Sequence, residues 1–124
     1  MVTCRDVNNL KLDGMELVAG ESGLNRVVSW FYMVQTKSYE NHMNQGNFAL
    51  IVVDGVRFDF DGLEDTMEEL NGLGISGMAV SVEEDRDKIP DYILKRADEL
   101  GLPLFWVKWK GASFVDISQS MQEL

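Results

Sequence analysis

The chain has 124 residues, 45% of them hydrophobic and 26% charged, which suits one folded domain with its own core and leaves no room for two ordinary ones. Its 21 acidic and 11 basic residues give a formal net charge of -10, and no Lys/Arg-rich run interrupts the acidity, so this chain by itself is not expected to bind nucleic acid. A lone cysteine (Cys4), an opening Met1-Val2-Thr3-Cys4-Arg5-Asp6 without a signal-peptide pattern, and a longest apolar run of only Phe48 to Val53 point to a reducing, cytoplasmic setting with no membrane span.

In chain order, Thr3 with Asp6 three residues on has the spacing of a capping box and predicts a short helix. Glu16 to Ala19 reads as a short strand stopped by Gly20, and Glu21 to Arg26 reads as a turn. Val27 to Val34, Val-Val-Ser-Trp-Phe-Tyr-Met-Val, is rich in β-branched and aromatic residues with almost no polar alternation, so a strand buried on both faces is expected. Thr36 to Asn44 is polar and fits a short helix or a loop. Phe48 to Val53 is the continuous apolar run of a central parallel strand, ending at Asp54-Gly55.

Asp61-Gly62-Leu63-Glu64 is a second cap signal, and Leu63, Met67, Leu70 and Leu73 fall on one helical face, with Gly72 and Gly74 at its end. Met78 to Val82 is the next strand, followed by the acidic stretch Glu83 to Asp87. Pro90 suits the first turn of a helix whose apolar face is Ile93, Ala97 and Leu100, and Gly101 with Pro103 stops it. Leu104 to Val107 is the last strand. Ser113, with Asp116 three residues on, opens a final helix whose stripe is Phe114, Ile117, Met121 and Leu124. That stripe suits packing on the sheet, or a connector into a following domain or a partner's equivalent helix.

Strands separated by helices imply right-handed crossovers. The expected fold is a single α/β domain over residues 1–124, with a mostly parallel (mixed) central sheet of about five strands and helices on both faces.

A search for chemistry finds little that favours catalysis. Cys4 would need a base, and the lone histidine, His42, lies in a polar segment. The Glu83–Asp87 stretch lacks the oxygen spacing of a calcium loop, and no Cys/His cluster suggests zinc, so neither metal nor cofactor is expected. Gly72-Leu73-Gly74-Ile75-Ser76-Gly77 follows a helix and precedes a strand, the reverse of a nucleotide fingerprint. In open parallel sheets ligands sit beyond the carboxyl ends of strands, at a switch in strand order. By that rule the candidate ligand contacts are Gln35, Asp54, Gly55, Arg57 and Glu83. Asp54 stands first among them, because Gly55 permits close approach and its carboxylate accepts from N–H or hydroxyl donors; Asp-Gly is equally a plain turn pair. Trp109, Phe114, Ile117 and Met121 are the candidate interface residues.

Several segments then carry a resemblance: Val2 to Val7, Ala19 to Trp30 with its G-L-x-R-x-V-x-W pattern, Gln45 to Leu50, Ile89-Pro90, Ala97-Asp98-Glu99-Leu100-Gly101-Leu102-Pro103-Leu104, and Phe114 to Ile117. In this order and spacing the chain resembles the N-terminal domain of the purine catabolism regulator (PucR-like) family, over essentially its whole length. The resemblance implies a regulatory domain of a bacterial transcription regulator whose DNA-binding helix-turn-helix lies elsewhere. The chain departs from the family pattern at Gln35, Gly46-Asn47 and Val53-Asp54-Gly55. The expectation is a non-catalytic sensor of a small, purine-related metabolite. The alternative is an oligomerisation or docking module, forming a homodimer or binding other domains of the parent regulator.

Overall fold

The computed structural model describes residues 1–34, 44–53, 59–82, 89–108, 119, 120 and 122–124. The expected final helix over 113–124 and the polar stretch 36–43 lie wholly or largely outside these residues.

Helix α1 (Cys4–Asn9) begins as the sequence indicates. The Thr3 backbone N–H donates to Asp6 Oδ2 at 2.8 Å, and the Asp6 N–H donates back to Thr3 Oγ1, a reciprocal capping box. Strand β1 (Met15–Ala19) follows, then a 3-10 turn at Glu21–Gly23. Next come β2 (Trp30–Val34), β3 (Asn47–Val53), α2 (Phe60–Gly72), β4 (Gly77–Val82), α3 (Asp91–Leu100) and β5 (Leu104–Lys108).

The strands form one sheet in the order β1-β5-β4-β3-β2. β2, β3, β4 and β5 pair parallel, and β1 closes the far edge antiparallel to β5, with Leu17 opposite Phe105. This is the expected mixed, mainly parallel α/β sheet. β3 and β4 read as apolar runs because they are central and covered on both faces.

One face is covered by α2 and α3. Leu63, Met67 and Leu70 of α2 and Ile93 and Ala97 of α3 are wholly buried against Ile51, Met78, Val80 and Leu104. Burying each of the larger aliphatic side chains is worth roughly 1.5–3 kcal/mol. The opposite face carries α1, whose Cys4 and Val7 pack with Leu24, Val28, Phe48, Leu50, Ala79, Phe105 and Val107. Phe31, Phe48 and Phe105 form a chain of rings across this face, with centroids 5.6 and 5.7 Å apart.

Three expectations are corrected. β2 is an edge strand, shorter than Val27–Val34 and not buried on both faces: Trp30 is 66% exposed, and Val27 makes an isolated bridge to Thr3. An edge strand with bulky side chains has the composition of a central one, but among the described residues it has a strand neighbour on one side only. The cap of α2 is Asp59, whose side chain accepts from the Gly62 N–H at 2.7 Å, two residues before the expected Asp61. Leu73 leaves the apolar face and is 39% exposed, because it is the C-cap where the helix ends.

The two stretches that carry most of the resemblance meet in space. The Gly20 N–H donates to Asp98 Oδ1 at 2.7 Å. A Cβ on Gly20 would run into the Leu102 carbonyl, and one on Gly23 into the Gly101 carbonyl. The turn after β1 therefore lies directly on the loop that ends α3, an approach closed to any residue but glycine.

Candidate functional site

Because the parallel strands lie in the order β2-β3-β4-β5, their carboxyl ends share one edge of the sheet and their amino ends the other, with no reversal among them. The carboxyl edge ends at Val34, Val53, Val82 and Lys108. Gln35, Asp54, Gly55, Arg57 and Glu83 follow these strands in sequence and lie outside the described residues. Trp109, Phe114, Ile117 and Met121 lie outside them as well.

The amino edge carries an open cavity of about 540 Å³, walled by Arg26, Ser29, Gln45, Asn71 and Ser76 with Val27, Gly46, Gly74 and Ile75. That volume is within the range of small-molecule sites. The elements placing these groups are the segment entering β2, the segment entering β3, and the turn from α2 into β4. Backbone bonds tie the three together: Ser29 N–H to the Gly46 carbonyl at 2.8 Å, Gly46 N–H to the Gly74 carbonyl at 2.8 Å, and Ser76 N–H to the Asn47 carbonyl at 2.9 Å.

Arg26 is the centre of this edge. Its Nη1 donates to Asn71 Oδ1 at 2.8 Å and to the Ile75 carbonyl at 3.1 Å, and its Nη2 donates to the Leu100 carbonyl at 3.0 Å. Asn71 stands in the last turn of α2, and Leu100 is the last residue of α3. Neither helix has a basic residue of its own in that turn. Arg26 thus brings, from a distant part of the chain, the positive charge that both helix C-termini favour. Its own backbone is held by the Cys4 N–H, which donates to the Arg26 carbonyl at 3.1 Å.

The Ser76 hydroxyl is buried and makes no hydrogen bond to any described group. The neighbouring Cys4 Sγ donates to the Ser76 carbonyl at 3.1 Å. Burial pushes the Cys4 thiol up to about 12, against smaller opposing pulls from neighbouring Ser76 and the Arg26 charge. A thiol so placed stays protonated and shielded at neutral pH, which is the character of a packing residue and not of a nucleophile. Among the described residues no group of three or more His, Cys, Asp or Glu side chains could hold a metal ion, and no helix is long and apolar enough to cross a membrane.

A second, smaller cavity of about 270 Å³ is lined by Val2, Val28, Ser29, Trp30, Phe31, Gln122 and Leu124. It is mainly apolar and lies beside the exposed edge at Trp30.

Sequence reasoning passed over Arg26, Ser29, Gln45, Asn71 and Ser76 as site residues. A signal for the first was present: two helices lacking a basic residue in their last turns favour a cation from elsewhere. Arg26 is the one basic residue in the resembling stretch Ala19–Trp30.

No curated protein and no solved structure matches the chain. The model of the purine catabolism regulatory protein-like family matches residues 6–124, nearly the whole length, with the joint between the two resembling stretches and the Arg26 edge inside the match. The chain belongs to the purine catabolism regulatory protein-like family.

Proposed function

We propose that this regulatory domain reads a small metabolite for a transcription regulator, and that the metabolite sits in the cavity at the amino edge of the sheet. The observation that carries this reading is the cavity itself. It is of ligand size, is walled by hydroxyl, carboxamide and guanidinium groups, and is built where three chain segments and the ends of two helices converge on Arg26. A ligand bridging those parts would tighten the joint among them, which is a physical means of passing on its presence.

The test is a thermal-shift screen against purines, their breakdown products and other small metabolites. A ligand at about a hundred times its dissociation constant adds roughly 2.7 kcal/mol and moves the midpoint by several degrees. The shift is expected to vanish in Gln45→Trp, which fills the cavity from an exposed position, and to persist in Asp54→Ala. Loss in Asp54→Ala with retention in Gln45→Trp would move the site to the carboxyl edge.

A second reading is an assembly module acting through β2. Trp30 stands 66% exposed on that edge strand, with Val27 also exposed and the apolar cavity beside it. No hit across the panel, together with a midpoint that rises with protein concentration, would favour it.

A further inference from the structure

The electrostatics of the amino-edge cavity select the kind of molecule it takes, an inference that rests on the cavity being the metabolite site. Arg26 brings one full positive charge to the wall. Its guanidinium bonds the Leu100 carbonyl at the end of α3, the side-chain Oδ1 of Asn71 in the last turn of α2, and the Ile75 carbonyl in the turn that follows α2. Each helix C-terminus is equivalent to about half a negative charge, so two of them balance roughly one cation. Among the described residues that line the cavity there is no Asp, Glu or Lys. The described lining is therefore close to neutral inside a chain whose formal net charge is -10.

Its remaining polar groups work in both senses. The Gln45 and Asn71 carboxamides each carry donors and an acceptor, and of these Asn71 Oδ1 is taken by Arg26. The Ser29 hydroxyl donates to the Gln45 carbonyl at 3.2 Å and keeps acceptor capacity. An ion entering here would give up hydration without meeting an opposite charge that is free to receive it. A neutral group with a donor beside an acceptor would lose far less and pair both ways.

We propose that the cavity is specific for an uncharged, amide-type ligand and discriminates against both carboxylates and cations. Benzamide, benzoate and benzamidine share one shape and differ in charge, so they isolate the effect. Titrating each into the intact chain, the amide NMR signals of Gly46, Gly74 and Ser76 report occupancy of the cavity. Benzamide is expected to bind about tenfold more tightly than either ion, the ratio that about 1.4 kcal/mol of discrimination produces. Gln45→Lys adds a cation at an exposed position and is expected to invert the order of benzamide and benzoate. Benzoate equal to or tighter than benzamide in the unaltered chain would overturn the proposal, and so would an order unmoved by Gln45→Lys. If none of the three shifts those amides while a metabolite from the screen shifts others, the cavity is not the site, and the broader reading fails along with this one.

Discussion

The two faces of the sheet are built by different means. One is an aliphatic layer made by two helices that each carry their own stripe, Leu63, Met67 and Leu70 on α2 and Ile93 and Ala97 on α3. The other is an aromatic layer in which Phe31, Phe48 and Phe105, from β2, β3 and β5, contact one another in series under a helix of six residues, the first pair tilted and the second stacked. The first is assembled from contacts local in sequence along each helix. The second depends on segments from opposite ends of the chain arriving together, and glycine makes room for them: a Cβ on Gly77 would stand 2.8 Å from Phe48 Cε2 and 2.9 Å from Cys4 Sγ. The thin face therefore holds its packing with fewer, larger and less replaceable parts.

Truncating the middle ring should test that contrast most severely. Phe48→Ala is expected to cost about 3–5 kcal/mol, because the ring is wholly buried and touches both neighbours. Leu70→Ala on the aliphatic face should cost about 2–4 kcal/mol, with neighbouring side chains closing part of the gap. Urea unfolding of the two variants gives the comparison, and a larger loss for Leu70→Ala would reverse it. Removing the cap of the covering helix is smaller: Thr3→Ala should cost about 1 kcal/mol.

The buried thiol adds a pH dependence confined to the aromatic face. With its folded pKa raised above the ordinary value of 9.0 to about 12, Cys4 favours the folded state fully below pH 9. Above that, the unfolded chain loses its proton first, and the contribution disappears as pH rises toward 12. Wild type should thus lose more stability between pH 8 and 10.5 than Cys4→Ala does, in paired urea titrations; equal losses would place the thiol in contact with water. The smallest expected effect is on the other face. Trp106 Nε1 is buried without a hydrogen-bond partner among the described residues, so Trp106→Phe should leave the unfolding free energy within about 1 kcal/mol of wild type.

The aliphatic layer was the more legible in sequence, for the same reason that it is local. Periodicity alone marks the faces of α2 and α3, and unbroken apolar runs mark β3 and β4. The capping box at Thr3 needs only a spacing of three. What escaped depends on partners far along the chain. Nothing in Trp-Phe-Tyr-Met-Val distinguishes an edge strand from a central one, so the exposure of Trp30 was hidden. Nothing near Arg26 announces Asn71, Ile75 or Leu100, which lie 45, 49 and 74 residues away. The carboxyl-edge candidates rested on a rule about switch points, whereas the described parallel strands run in unbroken order.

The pairing of β1 with β5 bears on how the chain is made. Leu17 finds its partner Phe105, and Met15 its partner Val107, only near the other end of the sequence. As a ribosome releases the chain from its amino end, β1 waits without its strand partner while β3, α2, β4 and α3 can already dock on one another. Closing so long a loop is slow compared with the local steps before it. The last strand therefore acts as a latch, and a nascent chain stalled before Leu104 would hold a half-built sheet whose first strand has no strand to pair with.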